Sequence, residues 1–266
     1  MSLLLDRSRV FSNSALGEGY GGGVFAYDLV VYQSELDGNV SGNVGGGAYC
    51  FTLTMTSSVV HGNTAKDGGG LNCPGGNSFI QKSEISGNRA TQSTGGLVLG
   101  GNLNSEVHIV ETTISGNIAH YNSAAILSGS ILNSTITLNH ARQPGIRVRC
   151  LQRSTGRWPA VPRKQHRGGE FLHHRRPIDV GSSTVLSGVH NLIGHSKVRV
   201  PPDTLRGRPL LLPLANNGGL TRTHALQAGS PAIDRGSNPL DRLYDERGPG
   251  FPREKGAAVD IGAFER

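Results

Sequence analysis

Carboxylates are the side chains of this sequence best suited to chemistry, and they fall in two places. Glu35 and Glu84 each stand four residues before an asparagine (Asn39, Asn88), and Asp234, Asp245 and Asp260 lie in Gly- and Pro-containing sequence near the C-terminus. Two facing carboxylates would serve glycoside hydrolysis. Loop carboxylates converging as hard oxygen ligands would hold calcium and, with a neighbouring base, would serve lyase chemistry on a polyuronate. The spacing argues against both. Val59 holds the equivalent position in the repeat between Glu35 and Glu84, Asp37 is assigned to the face opposite Glu35, and Asp67, Glu106 and Glu111 stand alone. His61, His108, His120, His140 and His224 are scattered without a metal-ligand spacing, and no Gly-rich loop leads into a helix to cradle phosphate. The expectation is no catalytic residue and no cofactor, with Glu35 and Glu84 solvated. Asp234, Asp245 and Asp260 are expected to brace loops with Arg247, a calcium site at these three acids being the alternative.

The elements that would position such groups repeat. Asn13, Asn39, Asn63, Asn88, Asn117 and Asn139 recur every 22 to 29 residues. Five residues before each stands a hydroxyl (Ser8, Ser34, Ser58, Ser83, Thr112, Ser134), three before a branched aliphatic (Val10, Leu36, Val60, Ile85, Ile114, Ile136), and two after a small residue. Four columns coinciding over six copies mark an internal repeat. The second half of each copy is a small-residue cluster: Gly21-Gly22-Gly23, Gly45-Gly46-Gly47, Gly68-Gly69-Gly70, Gly95-Gly96, Ala124-Ala125 or Gly145. Apolar residues at alternate positions then share one face of a strand: Val24 and Ala26, Ala48 and Cys50, Leu71 and Cys73, Leu97 and Leu99, Ile146 and Val148. A period near 25 with short strands, no helical spacing and many Gly turns predicts an all-β fold: a right-handed, single-stranded parallel β-helix with an irregular C-terminal cap. Equivalent residues then stack about 4.8 Å apart. The six Asn form a structural ladder, tolerating a left-handed corner and both donating and accepting along the stack.

With 39 Gly, 5% aromatic and 17% charged residues in 266, the chain suits stacked aliphatic columns better than an aromatic-rich globular core. No apolar run is long enough for a transmembrane segment. Leu3 and Leu5 fall in the columns of Leu53 and Met55, so Met1–Asp6 reads as a strand and not as a signal peptide. The chain is therefore expected to be the C-terminal part of a longer secreted protein whose signal peptide lies in a missing N-terminal part. Cys50 and Cys73 share a column of adjacent coils, where side chains point alike, and they are expected as buried free thiols, as is Cys150.

Three segments follow: about six coils over 1–150, an irregular basic insertion over 151–185 and the cap over 186–266. Between Arg142 and Ile178 ten Lys or Arg stand against one acid, Glu170, so this stretch carries +9 in a chain of net +7. The rest sums to −2. Arg163, Lys164, Arg167, Arg175 and Arg176 are its candidate polyanion contacts. Pro159, Pro162 and Pro177 and the lack of any nucleic-acid motif favour a solvated or out-of-frame insertion, with no nucleic-acid partner.

Four blocks after residue 186 carry a resemblance: Asn217-Gly218-Gly219-Leu220-Thr221-Arg222-Thr223-His224-Ala225-Leu226, Gly229-Ser230-Pro231-Ala232-Ile233-Asp234, Asp245-Glu246-Arg247-Gly248, and Asp260-Ile261-Gly262-Ala263-Phe264-Glu265. They resemble the signature of secreted bacterial β-helix proteins with a choice-of-anchor Q domain, with Leu220 in place of the usual proline. The coils are more loosely similar to polymorphic outer-membrane proteins and pectate-lyase-like solenoids. The resemblance implies export and surface association without assigned catalytic residues. The resulting expectation is a monomeric, extracellular or cell-surface, adhesin-like protein that binds a carbohydrate polymer or a surface protein. A polysaccharide lyase or glycoside hydrolase of pectate-lyase-like fold is the alternative, since β-helices host both.

Overall fold

The computed structural model describes residues 1–100, 105–121, 129–142, 176–177, 186–196 and 199–266. The described residues form the expected all-β solenoid, of about five turns, with no helix. Each of the first four turns contributes one strand to each of four sheets, and the later turns, among the described residues, to the first three. The first sheet runs from Ser2–Asp6 through Asp28–Tyr32, Thr52–Thr56, Ser78–Gln81, Val107–Val110 and Gly129–Leu132 to Leu186–Val189. The second runs from Arg9–Phe11 through Glu35–Asp37, Val59–His61, Glu84–Ser86, Thr113–Ser115 and Thr135–Thr137 to Leu192–Ile193. The third holds the short strands after each ladder Asn, such as Val40–Ser41 and Thr64–Ala65, and the fourth holds Val24–Phe25, Ala48–Tyr49, Leu71–Cys73 and Leu97–Leu99. Every pairing within the solenoid is parallel and in register, except that Arg176–Pro177 meets His140–Ala141 antiparallel.

Strand alternation buries one column per inward position. Leu29, Leu53, Ile80, Val107, Leu36, Val60, Ile85 and Ile114 are all at most 2% exposed and belong to one continuous core. The Gly triplets follow from close packing between coils: a Cβ on Gly46 would lie 2.2 Å from the carbonyl oxygen of Gly69 in the next coil.

The Asn ladder is continuous. The Asn39 backbone N–H and side-chain amide both donate to Asn63 Oδ1, at 2.9 and 3.0 Å, and Asn63 does the same to Asn88, Asn88 to Asn117, and Asn117 to Asn139. Asn13 heads the ladder, donating to Asn39. The left-handed corner is not at the Asn, as the sequence suggested, but one residue earlier: Gly38, Gly62, Gly87 and Gly116 have φ of 61 to 67° there. A second left-handed column, made wholly of non-Gly residues, lies six before each Asn: Arg7, Gln33, Ser57, Lys82, Glu111 and Asn133, with φ of 42 to 49°. Beside it the hydroxyl column forms a ladder of its own, in which Ser34 N–H donates to Ser58 Oγ, Ser58 to Ser83, Ser83 to Thr112, Thr112 to Ser134 and Ser134 to Asn191 Oδ1.

Cys50 and Cys73 are a disulfide, not free thiols, with Cα atoms 4.6 Å apart. Same-column Cα atoms in paired parallel strands fall within the disulfide range, and the two side chains need only lean towards each other. The link closes a separation of 23 residues. Reduction is expected to lower the unfolding free energy by about 3 kcal/mol, read from denaturant midpoints with and without reductant.

Candidate functional site

The segment read as the cap, 186–266, begins with two strands of the last coil, Leu186–Val189 and Leu192–Ile193; beyond them the described residues form no strand, only isolated bridges and turns. Part of it closes the end of the solenoid as expected: Leu226, Ala232, Ile261 and Phe264 pack with Leu192 of the last coil, with Ile233 against them. The rest runs back along the outer face of the second sheet and meets it coil by coil. Arg222 binds Glu84 through its backbone N–H (2.9 Å) and its Nε (3.0 and 3.1 Å), Glu246 accepts from Thr113 (2.6 Å), and the Ala263 N–H donates to Thr135 (3.1 Å). One column further, Arg222 Nη2 reaches His61 and Ser86, and His224 Nε2 reaches Ser115 at 2.8 Å. At the left-handed corner, Lys82 donates to the carbonyl oxygens of Tyr244 and Asp245, both at 3.0 Å.

This clasp corrects several carboxylate assignments. Glu84 is fully buried beneath Arg222 and not solvated. Glu35 does reach solvent, but it and Asp37 share one outer face and one partner, Arg9, at 3.0 and 2.8 Å, because residues two apart on a strand point the same way. Glu111 is not isolated. It is buried between Lys82 and Arg253, at 3.7 and 4.0 Å, and burial pushes its carboxyl above the usual range against the pull of both cations.

Of the three candidate calcium ligands only Asp245 meets Arg247; Asp234 and Asp260 are engaged by backbone N–H groups instead. Asp245 accepts from the Arg247 N–H and guanidinium and from the Glu265 N–H; Asp260 accepts from the Asp234 and Arg266 N–H groups; Asp234 accepts from the Ala258 N–H. Oxygens held by backbone N–H groups and a guanidinium make a poor donor set for a hard cation. Among the described residues no group of three or more His, Cys, Asp or Glu could hold a metal ion. Of the candidate polyanion contacts, Arg163, Lys164, Arg167 and Arg175 lie outside the described residues, and Arg176 is described by its backbone alone.

Burial also sets a pH response in the clasp. It raises Glu246 well above the ordinary carboxylate value despite two hydroxyl donors, raises Glu265 to about 7, and lowers His224. A carboxyl raised in the folded state binds its proton more tightly than in the unfolded chain. Its contribution is complete below about 4.5 and is lost as pH rises through the folded value. His224 acts oppositely, its contribution falling away below about 6.5. Glu265→Gln keeps the acceptor for the Asp260 N–H and removes the titration. The variant is expected to match the parent near pH 5 and to melt higher at pH 8, as a thermal melting series across that range would show.

The other feature is an aromatic corner that the reading of inward columns passed over. The outward partners of Val24, Ala26, Ala48 and Cys50 are Phe25, Tyr27, Tyr49 and Phe51, so rings fall in two columns of the first coils. Phe25 stacks on Tyr49 (5.6 Å, 6°), Tyr27 on Phe51 (4.7 Å, 13°), and Tyr20 meets Tyr49 edge-on at 5.1 Å. Phe25 is 64% exposed and Tyr27 53%. The columns end in the third coil, where Asn72 follows Tyr49 and the Phe51 ring lies over Gly75; a Cβ there would sit 2.0 Å from the ring. The signal was present in the sequence, in the two copies of a Gly triplet followed by aromatics at its second and fourth positions.

No known protein family, curated protein or solved structure matches the chain. The parallel solenoid and its two surfaces, the clasp and the aromatic corner, are what bear on function. No helix of the described residues is long and apolar enough to cross a membrane.

Proposed function

We propose that this chain is a non-catalytic, exported β-helix surface protein of adhesin type that binds a carbohydrate polymer. The observation that carries the reading is the aromatic corner, in which the exposed Phe25 and Tyr27 stack on the half-buried Tyr49 and Phe51, in a chain otherwise poor in aromatics. Solvent-facing rings gain free energy only when something covers them, and an aromatic face suits the apolar C–H face of a pyranose. The buried carboxylates favour the non-catalytic reading: Glu84 and Glu111 lie beneath the clasp and Asp245 and Glu246 within it, each engaged by cations or hydroxyls. The Cys50–Cys73 disulfide supports maturation in an oxidising compartment, and with it export to the cell surface or beyond. The resemblance of the C-terminal blocks to choice-of-anchor Q proteins supports surface association. The test is retention of the purified protein on a panel of insoluble polysaccharides, with soluble oligosaccharides assayed for cleavage. Retention without cleavage is expected. Release of reducing or unsaturated ends would establish the enzyme instead.

A further inference from the structure

The left-handed corner column under the clasp holds a cluster of buried polar atoms that plays no part in carbohydrate binding. Lys82, Glu111 and Asn133 occupy successive rungs of that column, and the Glu111 N–H donates to the Leu132 carbonyl oxygen of the coil that carries Asn133. Arg253 meets them from the clasp. Its Nη2 donates to the carbonyl oxygens of Asp260 and Gly262 at 3.1 and 2.9 Å, and the next N–H, that of Ala263, is fixed on Thr135, two residues beyond Asn133. The guanidinium thus spans from the Glu111 rung to the coil of Asn133.

Glu111, Asn133 and Arg253 have no exposed surface. Six of their side-chain atoms nevertheless make no hydrogen bond to protein: Glu111 Oε1 and Oε2, Asn133 Oδ1 and Nδ2, and Arg253 Nε and Nη1. The ion pairs at this corner do not close. Lys82 Nζ stays 3.7 Å from Glu111 Oε2 and Arg253 Nε 4.0 Å from Glu111 Oε1, while Lys82 directs its hydrogen bonds to the Tyr244 and Asp245 carbonyl oxygens.

A buried polar group without a partner costs free energy, and nearly all such groups in native proteins have one. Six at one junction require a shared partner, and their own chemistry selects it. Three are acceptors and three are donors. A cation would satisfy the oxygens but meet Arg253 and Lys82; an anion would satisfy the nitrogens but meet Glu111. Water serves both sets. Two atoms 4.0 Å apart can each hold the same water at hydrogen-bond length, with an angle at the water of about 90°. At about three bonds per buried water, roughly two or three molecules satisfy the six atoms. We propose that Glu111, Asn133 and Arg253 enclose a hydration site whose ordered waters join the clasp to the corner column.

The experiment is a crystal structure of the whole chain at a resolution that shows ordered water, with a bromide soak read by anomalous scattering and water–protein cross-relaxation measured by NMR in solution. Water peaks within hydrogen-bond distance of Glu111, Asn133 and Arg253 are expected, with no bromide among them. In solution the Asn133 side-chain amide and the Arg253 Nε–H should show direct cross-relaxation with water. A bromide peak among the same atoms would make the guest an anion and overturn the proposal. Closure of Glu111 onto Arg253 and Lys82 at hydrogen-bond distance, with no water peak between them, would overturn it as well. So would Asn133 and Arg253 protons that communicate with water only by chemical exchange.

Discussion

Asn88→Ala is expected to lower the unfolding free energy by about 4 kcal/mol or more, enough to threaten the fold of a small-domain-sized stability. The side chain occupies a fully buried position and makes four hydrogen bonds. It accepts from the Asn63 N–H and from the Asn63 side-chain amide, and it donates to the Val60 carbonyl oxygen and to Asn117 Oδ1. Truncation strands the Asn63 N–H and takes one partner each from the Val60 carbonyl, from the Asn63 amide, which keeps Leu36 and His61, and from Asn117 Oδ1, which keeps the Asn88 N–H; the stranded donor and the lost bonds together set the size. Asn88→Asp keeps the shape but loses the donors and buries a charge, so it is expected to be no milder. Asn13 is the internal control. It is exposed and donates down the ladder to Asn39, so Asn13→Ala should cost no more than about 1 kcal/mol. Chemical denaturation of the three variants checks the order; equal losses at Asn13 and Asn88 would show that the ladder does not act as a buried network.

Arg222→Met is expected to cost about 3 kcal/mol and to detach the clasp before the coils unfold. The loss comes from the partner: Glu84 has no exposed surface, and without the guanidinium it is a buried anion left with a serine hydroxyl and one backbone N–H. Because Arg222 itself is 38% exposed at its side chain, the pair's own attraction is screened, and the variant measures the stranded charge. Arg222→Met/Glu84→Gln is therefore expected to recover more than half of the loss. Hydrogen exchange locates the effect: amides of 199–266 should exchange faster in Arg222→Met while those of the first three coils hold. Uniform acceleration along the chain would show that clasp and coils form one cooperative unit.

The parts of the molecule that repeat could be read from the sequence, and the parts that occur once could not. The Asn column, the Gly triplets and the inward aliphatics each recur in register, so one physical reason explains many positions and chance is excluded by repetition. Glu84 shows the limit. Its burial depends on Arg222, 138 residues away, and nothing in the local pattern of Ser83-Glu84-Ile85 distinguishes it from the partly exposed Glu35 in the same column. Glu111 likewise meets Arg253 only through the clasp. The disulfide failed for a different reason. Register places Cys50 and Cys73 correctly, but two side chains that leave their strands in the same direction can still lean together across one inter-strand gap. The aromatic corner was missed because attention to the inward set at Val24, Ala26, Ala48 and Cys50 passed over the alternate residues, which decide what the surface meets.

The clasp fixes which end of this molecule is free to vary in length. Arg222, Glu246 and Ala263 hold Glu84, Thr113 and Thr135, one anchor on each of three successive coils, so a coil inserted between those anchors would throw every later contact out of step by one rung. Ahead of Val59 the cap imposes no such count. Each coil there joins the next through the same Asn and hydroxyl bonds, and duplication of a single repeat in the gene would extend the rod by about 4.8 Å without altering any joint. A lineage of such proteins would keep its C-terminal part constant and adjust the length of its rod by adding or losing repeats ahead of the clasped coils.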